Sequence, residues 1–122
     1  MQPLLLTRRP LAADAAEVVI QECLTGILAR CSPRLVILFG SAARGEMTDQ
    51  SDLDFMLIFD TSADCRLASR CLRQGTLLAP VPVDLICVAT PDYLRKRTVG
   101  GICMIAAEDG RVLYRDPSWN EA

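Results

Sequence analysis

Apolar residues recur along this 122-residue chain at spacings that predict helices alternating with strands. Residues 11–31 carry apolar side chains three and four positions apart, a stripe typical of an amphipathic helix: Ala16, Ile20, Cys23, Leu24, Ile27 and Cys31. We expect Pro33 to end this helix. Residues 34–39 then form a short aliphatic run closed by Gly40, which predicts a buried strand.

The middle of the chain predicts a central strand, a helix and a further strand. Residues 52–59 are apolar on both faces after the first three positions, as expected of a strand covered on both sides. Residues 63–79 predict a helix whose buried face holds Leu67, Cys71 and Leu78. Residues 81–88 predict a third strand, with Pro80 and Pro82 at its entry.

The last third predicts two more helices and a closing strand. Thr90 and Pro91 suit the N-cap and first turn of one helix, and residues 102–108 suit another that Gly110 stops. Residues 111–115 suit a short strand. The alternation predicts an α/β or α+β class, a mixed sheet with helices packed on it. Without internal repeats or a long linker, residues 1–122 are expected to form a single domain.

The composition restricts the chemistry that the chain can perform. It contains no histidine, which excludes Ser-His-Asp triads, Cys-His pairs and histidine-containing zinc sites within the chain. Its six cysteines include no C-x-x-C pair, so we interpret most of them as small buried hydrophobic residues. Any reaction must therefore use carboxylates, hydroxyls, thiols, arginines or backbone groups.

Charge and apolar patterning suggest where the protein acts. The formal net charge is -2, and the Arg8-Arg9 pair and the basic run 95–97 are too short for a nucleic-acid patch. We therefore expect no sequence-specific nucleic-acid partner. The N-terminal residues do not resemble a secretory signal, and no apolar run is long enough to cross a bilayer, so a cytoplasmic location without membrane contact is expected.

The segment around Gly40 and Ser41 is the first candidate for chemistry. A strand that runs into Gly40-Ser41 and then a short helix would present backbone N–H groups and a hydroxyl, which favour an anion such as phosphate. An ordinary turn glycine followed by an N-cap serine explains the pair equally well.

Three aspartates form the second candidate. Asp52 and Asp54 share a strand face, where their repulsion can be relieved by protonation or by a hard divalent cation such as magnesium. The alternative is an Asx turn at Asp52 and solvent exposure of Asp54. Asp84 lies inside another apolar strand, where a lone charge is costly. Neutral burial or an edge strand could explain it, but a shared metal explains all three aspartates together.

The motif resembles that of a known family. Glycine-serine, an arginine-glycine shortly after it, and Ser-Asp-x-Asp in an apolar strand resemble the signature of minimal nucleotidyltransferases of the DNA polymerase β superfamily. The resemblance extends to Val83-Asp84-Leu85 and to residues 108–114, so its core covers about residues 34–115. It implies the polymerase β-like fold, a mixed sheet backed by helices.

The resemblance also implies a reaction. Asp52 and Asp54 would hold magnesium ions, two in the family's scheme, and Asp84 would complete the site by binding the second metal and helping to activate an acceptor hydroxyl. Gly40 and Ser41 would hold the β- and γ-phosphates of ATP or another nucleoside triphosphate, and Arg44 would neutralise charge on pyrophosphate.

Finally, the resemblance implies a partner. Stand-alone domains of this kind resemble the antitoxin half of modules whose other half is a helical HEPN protein, which some members AMPylate on tyrosine. Only eight residues follow Tyr114, so we expect another chain, or a second copy in a homodimer that uses the apolar run 102–107, to complete the acceptor site. Two alternatives remain: a non-catalytic nucleotide-binding antitoxin that neutralises by occlusion, and transfer to a small molecule such as an aminoglycoside.

Overall fold

A computed structural model describes residues 12–48, 51–74 and 81–119. The described residues form four helices and four strands. In chain order they are α1 (Ala13–Arg30), β1 (Leu35–Phe39), β2 (Leu53–Phe59), α2 (Ser62–Gln74), β3 (Val83–Ala89), α3 (Thr90–Lys96), α4 (Gly101–Asp109) and β4 (Arg111–Arg115). The predicted alternation of helices and strands is confirmed.

The strands form one mixed sheet in the order β3-β2-β1-β4. β1 pairs antiparallel with both β2 and β4, whereas β2 and β3 run parallel. β1 and β2 are therefore central, and β3 and β4 lie at the edges of the described sheet. This arrangement confirms the predicted mixed sheet backed by helices.

Helices cover both faces of the central strands. On β1, Val36 and Leu38 belong to a core shared with α1 and α2, while Leu35, Ile37 and Phe39 belong to a core shared with α3 and α4. Because successive side chains of a strand point to opposite faces, all five positions of β1 are buried. The same double coverage explains the apolar run of β2, which the sequence predicted as central.

The predicted stripe on α1 is confirmed at its centre. The buried residues of this helix are Ile20, Cys23, Leu24 and Ile27. Ala16 and Cys31 pack partly buried against the same core. The helix ends at Arg30, three residues before the proline that was expected to end it.

The predicted buried face of α2 is wrong. Leu67 is 56% exposed and Cys71 is exposed, whereas Ala68 and Leu72 are buried against the sheet. Ala68 and Leu72 are four residues apart on one side of the helix and pack into the core, so the buried face lies one residue away from the predicted one. The third predicted position, Leu78, lies outside the described residues.

The predicted N-cap of α3 is also wrong. Ala89 occupies the N-cap position, and Thr90 is the first helical residue. The Thr90 hydroxyl instead donates a hydrogen bond of 2.9 Å to the carbonyl oxygen of Phe59, which ties the helix start to the end of β2. Pro91 lies in the first turn as predicted. β3 begins directly after Pro82, and Pro80 lies outside the described residues.

The end of the described chain follows the sequence prediction closely. α4 ends at Asp109 with Gly110 as its C-cap, and β4 covers the five predicted residues. Within the apolar run of α4, Cys103 and Ala106 are buried, but Ile102 and Ile105 are 42% and 46% exposed. The run is therefore half core and half surface. In the described part of the chain, no helix is long and apolar enough to cross a membrane.

Candidate active site

Asp54 and Asp84 lie side by side at one end of the sheet. They are direct partners in the parallel pairing of β2 with β3, which starts where Leu53 N–H donates to the carbonyl oxygen of Pro82 at 2.9 Å. Paired residues of a parallel ladder point to the same face on strands about 4.8 Å apart. The fold therefore brings together two aspartates that are thirty residues apart in the chain.

Three negative groups act on one another at this position. Burial raises the pKa of the Asp54 carboxyl above its ordinary value of 3.8, and the charges of Asp84 and Asp52 and a hydrogen bond with Asp84 raise it further. Asp52 is exposed just before β2 begins, and Asp84 is exposed on the edge strand. The site therefore concentrates carboxylate oxygens whose repulsion a cation would relieve.

The three aspartates do not close into a complete metal cage. Among residues 12–48, 51–74 and 81–119, no group of three or more Asp, Glu or Cys side chains has the arrangement of a metal site. Asp54 and Asp84 form a hydrogen bond, whereas Asp52 acts on Asp54 only through its charge. Oxygen donors carrying excess negative charge fit a hard divalent ion, so the donor chemistry suits magnesium.

Gly40 supports the Asp54 carboxyl directly. It follows β1 with a φ of +79°, a backbone conformation that favours glycine. A Cβ atom added at this position would lie 2.5 Å from Asp54 Oδ2, well inside van der Waals contact. The backbone at residue 40 therefore packs against the Asp54 carboxylate. Any side chain larger than that of glycine would collide with this carboxylate.

The segment after Gly40 is a hydrogen-bonded turn rather than the predicted short helix. Arg44 N–H donates to the carbonyls of Gly40 and Ser41 at 3.3 and 3.2 Å, and Glu46 N–H donates to Ser41 at 2.9 Å. Gly45, with a φ of +73°, ends the turn before a second helical turn can form. In the described residues, the N–H groups of positions 41–43 donate to no backbone carbonyl outside regular elements. Such N–H groups suit an anion.

Arg44 lies on this turn but faces another residue. Its Nε donates to Glu46 Oε1 at 2.8 Å, and both side chains are largely exposed. In the described structure, the Arg44 side chain therefore pairs with Glu46 and not with any of the three aspartates. No sequence pattern indicated a role for its partner, Glu46.

Thr48 and Ser51, which lie before β2, form hydrogen bonds that were not predicted. Thr48 N–H donates to Ser51 Oγ at 2.8 Å, and Ser51 N–H donates to the Thr48 carbonyl at 3.2 Å. Met47 and Ala42 are buried and anchor the loop in the core. The polar spacing of threonine and serine just before the aspartate motif could have indicated this turn.

The thiols lie outside this chemistry. All six cysteines are free; Cys23 and Cys103 are buried, and three more are partly buried. Burial raises the pKa of Cys31 to about 11, with further increases from Cys87 and Cys71. These values keep Cys31 protonated at neutral pH, so the prediction of small apolar thiols is confirmed for most of them and fails for the exposed Cys71.

A turn at Gly40-Ser41 ends a central strand beside paired aspartates on the next two strands of a mixed sheet, an arrangement that suits nucleotidyl transfer. The chain matches the nucleotidyltransferase domain family over residues 20–113 and belongs to that family.

Two relatives illustrate the similarity. A Methanocaldococcus jannaschii protein named "Putative protein adenylyltransferase MJ0604" is 27% identical over 103 residues, which cover 80% of this chain and 97% of that protein. The crystal structure of a "putative nucleotidyltransferase" from Sulfolobus solfataricus superimposes with a TM-score of 0.52 at 19% identity, covering 84% of this chain and 86% of that one. This structural similarity confirms the predicted fold.

Proposed function

We propose that this nucleotidyltransferase uses magnesium to transfer AMP from ATP to a hydroxyl group of a partner protein. The observation that carries the proposal is the pairing of Asp54 with Asp84 beside the Gly40 turn. The acceptor is a tyrosine of a helical HEPN-type protein in the cytoplasm, and its modification makes this chain an antitoxin. The name of the Methanocaldococcus relative supports a protein acceptor.

The aspartates supply the metal ligands in this proposal. Asp54 and Asp84 are paired across the strands, and the exposed Asp52 lies two residues before Asp54, close enough for its charge to raise the Asp54 pKa. Nucleotidyltransferases of this family generally use a nucleoside triphosphate and a divalent metal ion. Bound here, two magnesium ions would supply charge stabilisation for the attacking and leaving oxygens. The raised pKa of Asp54 supports a cation at this position, because a cation offsets the burial and repulsion that cause it.

The turn after β1 holds the triphosphate in this scheme. Backbone N–H groups at positions 41–43 and the Ser41 hydroxyl donate to the β- and γ-phosphate oxygens. Arg44 exchanges its exposed ion pair with Glu46 for the phosphates when ATP binds, because exposed pairs of this kind contribute only about 0.2–1 kcal/mol.

The transfer itself is an in-line displacement. The acceptor oxygen forms a bond to the α-phosphorus, and the bond from that phosphorus to the bridging oxygen of the β-phosphate breaks. Pyrophosphate leaves toward Ser41 and Arg44. Asp84, exposed on the edge strand, accepts the proton that the acceptor hydroxyl loses. An open edge position suits an acceptor hydroxyl presented by a second protein.

The proposal is tested by intact-mass spectrometry. The chain is incubated with magnesium, ATP and the product of the neighbouring open reading frame, and both proteins are then weighed. We expect the partner to gain the mass of AMP and Asp54→Asn to prevent the gain. An Asp109→Asn variant is the matched control, because Asp109 is an exposed carboxylate at the end of α4. A partner that binds tightly and gains no mass would contradict enzymatic transfer.

A second candidate is a non-catalytic antitoxin that neutralises its partner by occlusion. The open arrangement of the aspartates and the pairing of Arg44 with Glu46 favour it. Co-expression of the toxin with the Asp52→Ala/Asp54→Ala double variant separates the two candidates. Neutralisation fails under the enzymatic proposal and survives under occlusion. Adenylylation of an aminoglycoside-like compound in place of the protein would instead indicate a small-molecule acceptor.

A further inference from the structure

A basic groove lies between α2 and the edge strand β3. It has a volume of about 370 Å³, and its lining residues are Cys65, Arg66, Ser69, Arg70, Arg73 and Cys87. The Cys87 side of β3 packs against the core under α1 and α2, whereas its neighbours Ile86 and Val88 pack against the opposite core. The groove and the aspartate site therefore lie on opposite faces of the same strand.

The three arginines of this groove are free to bind an external anion. Their spacing of four and three residues places Arg66, Arg70 and Arg73 on one side of α2, and all three are exposed. Within the described residues they form no ion pair or side-chain hydrogen bond. By contrast, Arg34 and Arg111 each bind a carboxylate of this chain.

This positive charge is local. The whole chain has a formal net charge of -2, so the three arginines contrast with an acidic molecule. On α2 only Asp64, in the first turn, opposes them. The outer edge of β3, which pairs with no other described strand, favours an acidic protein segment over RNA as the occupant, because a peptide backbone can form main-chain hydrogen bonds with a strand.

β3 offers a backbone template beside the arginines. It pairs with β2 on one side, and no other described strand pairs with its outer edge. An extended segment can add to such an edge through main-chain hydrogen bonds. Its alternate side chains would then point toward the α2 face, where Arg66 and Arg70 lie.

We propose that the groove between α2 and β3 docks an extended acidic segment of the protein that receives the nucleotide. The proposal rests on the proposed function only in assigning the segment to the acceptor. Cys87 follows Asp84 by three residues, so the groove begins about 10 Å along the same strand from the site. A segment docked there holds the acceptor beside the aspartates without contacting them.

Direct binding tests the groove without catalysis. The probe is a fluorescent eight-residue peptide of alternating threonine and glutamate, measured by anisotropy at low and physiological ionic strength without ATP. An alternating threonine-lysine peptide and a single-stranded uridine oligonucleotide are the comparison ligands. The Arg66→Glu/Arg70→Glu variant is compared with Lys96→Glu/Arg115→Glu, an equal charge change at exposed positions outside the groove. Thermal unfolding verifies that both variants are folded.

We expect the acidic peptide to bind the wild type and the control variant alike, and to bind the groove variant about tenfold more weakly, since two exposed pairs are lost and replaced by repulsion. Arg66→Lys/Arg70→Lys should restore part of the affinity. Absence of binding to the wild type, equal binding to the groove variant, or preference for the oligonucleotide would overturn the proposal. Because no transfer is measured, failure of the adenylylation assay leaves this result interpretable.

Discussion

Two glycines on the turn after β1 differ in one respect that predicts different effects of mutation. Gly40 and Gly45 both have positive φ, +79° and +73°. A Cβ at Gly40 would meet Asp54 Oδ2, whereas one at Gly45 would meet nothing within 4 Å. Alanine should therefore cost each position about 1–2 kcal/mol of backbone strain, but only Gly40→Ala should displace a site carboxylate.

We expect Gly40→Ala to lower the AMP-transfer rate about 100-fold through this displacement, while Gly45→Ala keeps most of its rate. Urea denaturation measures the loss of stability of each variant, and the transfer assay is run where both are folded. Equal loss of activity in the two variants would show that strain in the turn, rather than the contact with Asp54, controls the site.

The charge of Asp54 should destabilise the metal-free protein at neutral pH. Its folded-state pKa is raised, so its stabilising contribution is present below the ordinary value of 3.8 and is lost as pH rises through the folded-state value. Asp54→Asn should therefore raise stability at neutral pH by up to about 1 kcal/mol, a gain that disappears in acid.

Magnesium should make the wild type more stable than Asp54→Asn. We expect it to raise the melting temperature of the wild type, because an ion that binds only the folded state stabilises it, and to leave Asp54→Asn nearly unchanged. The exposed Asp109→Asn should behave as the wild type. A melting temperature of the wild type that does not respond to magnesium would contradict metal binding at this site.

Residue type alone made the turn glycine, the serine and the three aspartates candidates for the site. The fold places Asp54 with Asp84 and Gly40, and the catalytic roles of these residues stay predictions. The contact of Arg44 with Glu46 was not predictable, because a flexible exposed side chain chooses among partners by local geometry. The hydrogen bonds of Thr48 and Ser51 were not predictable, because the only turn that the sequence suggested before β2 was an Asx turn at Asp52.

At the scale of elements, α1 is tied to β4 by one ion pair. Arg111 donates to both carboxylate oxygens of Glu17, at 2.8 and 2.7 Å. The hydrogen bonds from Arg111 and then Gln21 lower the Glu17 pKa from 4.5 to about 2. Both partners are substantially exposed, so solvent screens the pair and it contributes at most about 1 kcal/mol.

The direction of the Glu17 pKa shift determines how the stability of the protein depends on pH. A lowered folded-state pKa stabilises the protein above pH 4.5, and the contribution is lost as pH falls toward about 2. Urea denaturation should show Glu17→Gln less stable than the wild type at neutral pH, with a difference that shrinks at about pH 3. A difference that is constant over this range would show that the ion pair contributes nothing.

The buried face of α2 predicts that its two leucines differ in their contribution to stability. Leu72 is 7% exposed and Leu67 is 56% exposed. Leu72→Ala should cost about 2–4 kcal/mol because it opens a cavity in the core, and Leu67→Ala should cost less than about 1 kcal/mol. Urea denaturation measures both. The reverse ranking would support the face that the sequence predicted.

Helices and strands were predictable where the sequence offered a single apolar pattern or a single stop signal. The buried run of β1, the stripe of α1 and the glycine stop of α4 all have this character, and the structure has them as predicted. The face of α2 was mispredicted because alternative apolar stripes one residue apart exist on that helix, and tertiary packing of Ala68 selects one. The role of Thr90 depends on the end of β2, thirty-one residues away, which local sequence cannot indicate.

At the scale of the molecule, the order of the strands brings the residues of the sequence motif together at one end of the sheet. Only the parallel pairing of β2 with β3 places Asp84 beside Asp54, and only the antiparallel pairing of β1 with β2 places Gly40 beside Asp54. The absence of histidine agrees with a site made of carboxylates, a hydroxyl and backbone groups. The strand order itself was not predictable from periodicity, because the same alternation of helices and strands permits several topologies.

The proposed function requires that the acceptor oxygen attacks the α-phosphorus of ATP. The most direct measurement incubates the chain and the product of the neighbouring open reading frame with magnesium and ATP radiolabelled on either the α- or the γ-phosphate. Transfer of the α label to the partner, release of the γ label in pyrophosphate, and loss of both with Asp54→Asn are the predicted results. Transfer of the γ label, or labelling that persists in Asp54→Asn, would contradict nucleotidyl transfer at the site of Asp54 and Asp84.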